Sequence, residues 1–178
     1  MEIRATNIKA DNMKLVGMVA FNSVSRDLGG FVEVIKPSSF SDSLASGEPV
    51  KAIVEHNHDL LLGKTTSNTL ELSENATELE VTIHLSNKIQ AHLDLYEQVK
   101  RGDLDSLSFG FVADVEEWDH DTTPPTRFIL KARLYEVTVC AVGAYPANKI
   151  DARTLDIAKT TFKTIQHLRT EIELMELF

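Results

Sequence analysis

Apolar and polar residues alternate at a step of two over much of the chain, which is the period of strands whose successive side chains point to opposite faces. The first forty residues read as strand, turn, strand, loop, strand: Ile3 to Lys9, the Asp11-Asn12 turn, Leu15 to Phe21, the Gly29-Gly30 break, and Phe31 to Ile35. Pro37 heads a short helix that Gly47 and Pro49 end, and Val50 to Glu55 follows as a strand. Thr69 to Ser73 and Leu79 to Leu85 flank a turn at Asn75 and predict a hairpin. Ile89, Leu93, Tyr96 and Val99 recur at helical spacing and predict a helix between Asn87 and Gly102. Two long runs, Leu104 to Trp118 and Arg127 to Val142, are joined by a polar loop containing Pro124 and Pro125 and predict an antiparallel pair. From Leu155, the residues Ala158, Phe162, Ile165, Leu168, Ile172 and Met175 return to helical spacing and predict a C-terminal amphipathic helix. That stripe suits the core, a dimer seam or a scaffold contact equally well.

These elements imply an α+β chain that is mainly β, its strands closed or partly closed into an antiparallel barrel flanked by helices. Residues 1–150 form one domain on this reading, and 151–178 the terminal helix, with a hinge at Tyr145-Pro146-Ala147-Asn148. The length of 178 residues suits such a core. No apolar run is long enough to span a membrane and no secretory leader is evident, so action in a cytoplasm is expected. The single cysteine, Cys140, supplies neither a disulfide nor a CxxC pair and reads as core. A formal net charge of −9 favours protein partners over nucleic acid.

Three places carry candidate chemistry. Alternation in Ser106-Leu107-Ser108-Phe109-Gly110-Phe111 sets the aromatic residues on one face and Ser106, Ser108 and Gly110 on the other, with the small face left accessible. A serine there needs a positioned base, and Gly110 allows close approach of a substrate; a strand bearing small polar residues is the bland alternative. His58, in Glu55-His56-Asn57-His58-Asp59, stands at a strand end, and a histidine there can serve as general base because the unperturbed imidazole pKa lies near neutrality. His56 and His58 would share a strand face, so a metal pair is an alternative, but no nearby cysteine or third histidine completes it. Glu136 interrupts a mostly apolar strand; it is solvent-exposed, bridged to Arg133 or Lys131, or paired with an imidazole such as that of His58. The histidines at 84, 92, 120 and 167 sit in no catalytic pattern.

Taken together, Glu55-His56-Asn57-His58-Asp59 with Leu62-Gly63-Lys64-Thr65, then Ser106 to Phe111, then Leu134 to Val139 leading to Pro146-Ala147-Asn148, resemble in kind and order the phage prohead (capsid-maturation) proteases. Val16 to Asn22, Gly30 to Ile35 and Pro37 to Phe40 extend the resemblance over roughly residues 15–150. It implies a herpesvirus-protease-like barrel and a serine endopeptidase needing no cofactor. It also implies action inside an assembling procapsid in the bacterial cytoplasm, on scaffold segments, the major capsid protein and itself. Ser108 becomes the nucleophile, His58 the base and Glu136 the third member. Thr138, where a serine is usual, and Ala141 to Tyr145 before Pro146 depart from the pattern. A homo-oligomer joined through the C-terminal helix is expected. A catalytically inactive assembly module of the same fold is the alternative.

Overall fold

The computed structural model describes residues 9–141, residues 12 and 26 excepted. In chain order the elements are β1 (Lys9–Asp11), β2 (Lys14–Ala20), β3 (Val32–Ile35), α1 (Ser41–Ala45), β4 (Lys51–Val54), β5 (Asn57–Lys64), β6 (Leu70–Glu74), β7 (Glu78–His84), α2 (Gln90–Arg101), β8 (Ser106–Asp119) and β9 (Thr126–Cys140). The chain is mainly β, in agreement with the alternation. The β6–β7 hairpin, α2 and the β8–β9 pair fall where the sequence places them. The predicted C-terminal helix, the hinge before it and most of the first predicted strand lie outside the described residues.

The strands form two sheets rather than a closed barrel among the described residues: β1-β2-β7-β6, and β3-β9-β4-β5 with β8 on the other side of β9. The expected antiparallel barrel also fails in pairing, because β3 and β4 both run parallel to β9. Strand length sets where these two strands lie. β9 spans 15 residues and β3 and β4 only four each, so the two short strands lie end to end along one edge of β9. β3 covers positions 126–129 and β4 covers 136–139. The gap between them would leave backbone groups of β9 unpaired, a cost that folded chains avoid. The segment between the two strands fills it: Ala132 N–H donates to the Ser39 carbonyl at 2.8 Å and Leu134 N–H to Ser43 Oγ at 3.0 Å.

The two sheets enclose one core. Leu15, Leu70, Leu79, Val81 and Ile83 from one meet Ala52, Leu107, Ile129, Val137 and Val139 from the other, with Phe40 wholly buried between. Phe109 and Phe111 hold β8 to this core, with ring centroids 5.8 and 6.1 Å from Phe40. At the C-terminus of α2, Gly102 takes the left-handed conformation at φ 82°, which a glycine adopts without Cβ strain. The buried face of α2 is His92, Leu95 and Val99, while Ile89 precedes the helix and is exposed. His92 is structural: its Nδ1 accepts the Ser86 N–H at 2.9 Å, and its Nε2 lies 3.2 Å from the Leu61 carbonyl. Among the described residues no helix is long and apolar enough to cross a membrane.

A smaller apolar cluster of Leu28, Phe31 and Trp118 closes the far end of the β8–β9 ribbon. Beside it the Arg127 guanidinium donates to Glu33 at 2.8 Å and to Glu116, and both Arg127 and Glu33 are buried. Burial pushes the Glu33 carboxyl up from 4.5 to about 7, outweighing the opposing pull of Arg127. The folded chain therefore keeps this proton to a higher pH than the unfolded chain does. The associated stability is fully present below pH 4.5 and is lost as pH rises through about 7. In denaturant titrations at pH 5 and pH 8, a Glu33→Gln chain should lose less stability over that interval than the parent. An identical loss in both would show that Glu33 ionises normally.

Candidate active site

The site is built where β4, β8 and β9 lie side by side. Register pairs Ser108 with Thr138, Gly110 with Glu136, Lys51 with Glu136 and Ile53 with Thr138. Cross-strand partners share a face, so Ser108, Gly110, Glu136 and Thr138 lie on one side of the sheet. A register shift follows, since Phe111 pairs with Leu134 and leaves Tyr135 as the extra residue beside Glu136. Bulges of this kind re-aim neighbouring side chains.

The third component arrives on a hairpin. Val54 pairs with Asn57, leaving Glu55 and His56 as a two-residue turn in which both have positive φ, 49° and 54°. Turns of this hand match the twist of the strands they join. Glu55 N–H donates to the Val139 carbonyl and His56 N–H to Thr138 Oγ1, both at 3.0 Å. The Thr138 hydroxyl in turn donates to the Ile53 carbonyl at 3.2 Å. Thr138 is wholly buried, and its hydroxyl fastens the turn to β9.

The result is a chain of polar contacts. His56 Nδ1 lies 2.7 Å from Glu136 Oε1, and His56 Nε2 lies 3.2 Å from Ser108 Oγ. An ionised carboxylate only accepts, so the proton sits on Nδ1 and the Nε2 lone pair faces the serine hydroxyl. Glu136 is 2 % exposed and Ser108 1 %. The second imidazole, that of His58, brings its Nε2 to 3.3 Å from Glu136 Oε2. A cleft of about 320 Å³ opens beside this pair, bordered by Lys51, His58, Gly110, Phe111, Tyr135 and Glu136.

Of the three residues singled out in the sequence, Ser108 and Glu136 converge, but the imidazole at Ser108 belongs to His56 rather than His58. The strand has ended at Val54, and a residue within a two-residue turn does not follow the strand's parity, so His56 and His58 share no strand face. The signal for the turn is the spacing between two apolar runs, Val50 to Val54 and Leu60 to Leu62. β5 goes unread because those leucines do not alternate and most of the strand is exposed. Two further expectations change. The small face of β8 is buried, not accessible. Gly110 makes room for Glu136: a Cβ there would stand 2.9 Å from Glu136 Cγ and 3.1 Å from Oε1.

The remaining candidates fall outside the cluster. Cys140 is buried, with its Sγ 3.8 Å from the Thr138 carbonyl, His84 pairs with Glu71, and His120 stacks on Trp118. Among the described residues no group of three or more His, Cys, Asp or Glu side chains is arranged to hold a metal ion.

A family model described as caudovirus prohead serine protease matches residues 1–163. No curated protein and no solved structure gives a match.

Gly110→Ala is expected to lower stability by about 1–3 kcal/mol, the range for overpacking a filled site. Thermal melting checks this, and an unchanged midpoint would mean that the Glu136 side chain yields freely.

Proposed function

Since the chain belongs to the caudovirus prohead serine proteases, we propose that Ser108 is its nucleophile, His56 the general base and Glu136 the residue that orients the base. The observation that carries this reading is the unbroken line Ser108 Oγ, His56 Nε2, His56 Nδ1, Glu136 Oε1, with separations of 3.2 and 2.7 Å. His58, given the base's role by resemblance, cedes it to the ring that stands within reach of the hydroxyl.

In this mechanism Ser108 Oγ attacks the scissile carbonyl as its proton passes to His56 Nε2. The imidazolium formed is a cation, and the buried carboxylate of Glu136 lies against it where little water screens the attraction. His56 then gives the proton to the departing amine, leaving an acyl-enzyme. Water, deprotonated by the same imidazole, releases the acyl group and restores the serine. Glu136 stays ionised throughout; its work is to hold the tautomer and to stabilise the charge.

The family's role is capsid maturation within the procapsid. The substrates proposed for this chain are scaffold segments and extensions of the major capsid protein, with its own termini as a further target, inside the shell assembling in the host cytoplasm. Self-association through the stripe from Leu155 to Met175 belongs to the same proposal. The other reading, an assembly module without activity, draws on the near-complete burial of Ser108.

Intact-mass analysis of a capsid precursor incubated with the chain separates the two. Cleavage by the parent should be abolished by Ser108→Ala and by His56→Gln, and reduced by roughly 10³-fold or more by Glu136→Gln, as for other orienting carboxylates. Equal cleavage by Ser108→Ala, or none by the parent, contradicts the serine mechanism. A chain truncated after Asn148 should show a lower oligomeric mass in light scattering than the full chain; an unchanged oligomeric state would remove the role of the C-terminal stripe.

A further inference from the structure

The cleft beside Glu136 has walls of two kinds. Pro49, Phe111, Val112 and Tyr135 give it apolar surface, and Lys51 adds a cation. Phe111 is buried, while Tyr135, the extra residue of the β8–β9 register shift, is 47 % exposed. Lys51 opens β4 and is the cross-strand partner of Glu136, which is in turn the partner of Gly110. These three form one row across the sheet, and Ile53, Thr138 and Ser108 form the next. The rows are two residues apart along each strand, roughly 7 Å, so the cleft lies one row from Ser108. Lys131, also on a strand, reaches Asp42 at 2.6 Å. Lys51, in a chain of net charge −9, has no carboxylate in ion-pair range among the described residues.

We propose that this cleft is a specificity subsite that takes an acidic side chain of the peptide substrate, its carboxylate meeting Lys51 and its methylene stem lying against Phe111 and Tyr135. This deepens the reading above and rests on it. An extended peptide advances about 3.3 Å per residue. A chain whose scissile carbonyl sits at Ser108 Oγ therefore brings a side chain to the neighbouring row within about three residues of the cut. A carboxylate there gives the ammonium a partner in place of water, and the apolar walls strengthen the pair by lowering the local dielectric. A lysine or arginine in the same place meets Lys51 as a like charge. An apolar side chain fills the walls but leaves the ammonium partly desolvated without compensation.

The other ionisable groups of the wall are His58, Tyr135 and Glu136. Glu136 is buried, and its Oε1 lies 2.7 Å from His56 Nδ1, so this carboxylate belongs to the interior of the site. Lys51 is exposed and stands at the surface an incoming peptide meets. It sets the sign that the cleft selects. A His58 carrying a proton would add to the same sign rather than oppose it.

The test digests a synthetic mixture of randomised peptides with the full chain and reads the new ends by mass spectrometry. Ser108→Ala is the blank, and fluorophosphonate labelling of the parent checks for an active serine. Acidic residues should be enriched about threefold or more over their share of the mixture at one position near the cut, the scale of a partly exposed ion pair. Lys51→Met should flatten that enrichment, and Lys51→Glu should replace it with a preference for lysine and arginine. If Lys51→Glu fails to fold, the flattened profile of Lys51→Met decides the matter. A labelled parent without the acidic preference, or a preference that survives these substitutions, would overturn the subsite while leaving the serine mechanism standing. So would a labelled parent that leaves the mixture uncut. An unlabelled parent that cuts nothing would remove both.

Discussion

A carboxylate placed inside a sheet is the constraint around which this structure is arranged. Glu136 lies on β9 with β4 on one side and β8 on the other, where almost no water reaches it. An ionised carboxylate in such a place is expensive unless donors surround it. The chain supplies two imidazoles from one hairpin and clears the space opposite by leaving Gly110 without a side chain. What compensates the buried charge also sets the geometry of the proposed site. The ring that satisfies Oε1 through Nδ1 has its other nitrogen bare, and that nitrogen faces Ser108.

β9 makes this geometry possible. It is long enough to carry two short parallel partners end to end, so β4 reaches only its C-terminal half and finishes opposite Val139. The chain must turn there, and the turn falls over the face that holds Ser108, Glu136 and Thr138. Thr138 secures the turn with one hydroxyl that both accepts and donates. A serine at this position would offer the same donor and acceptor.

The elements with strong periodicity were legible in the sequence: the β6–β7 hairpin, α2 and the long β8–β9 ribbon. Ser108 and Glu136 were legible too, because a small polar residue beside aromatics and a charge in an apolar strand each break a pattern. His56 was not. Its position depends on φ values in a two-residue turn, and neither Glu55 nor His56 belongs to the glycine- and asparagine-rich pairs that mark such turns. The barrel expectation failed for a related reason. Alternation shows that strands exist, but not which edges pair or in which direction, and the parallel placement of β3 and β4 end to end on β9 is encoded by no local pattern. The buried Arg127 cluster was likewise unread, because its three residues come from three strands.

In the proposed mechanism the Glu136 carboxylate fixes the proton of His56 on Nδ1, leaving Nε2 free to draw on Ser108. Nitrogen-15 NMR of histidine-labelled protein near pH 8, with the ring of residue 56 assigned by its loss in His56→Gln, measures this directly. The expected result is a protonated Nδ1 and an unprotonated Nε2 for that ring, with the preference relaxed by Glu136→Gln. A His56 ring protonated at Nε2, or one whose signals ignore the change at Glu136, would contradict it.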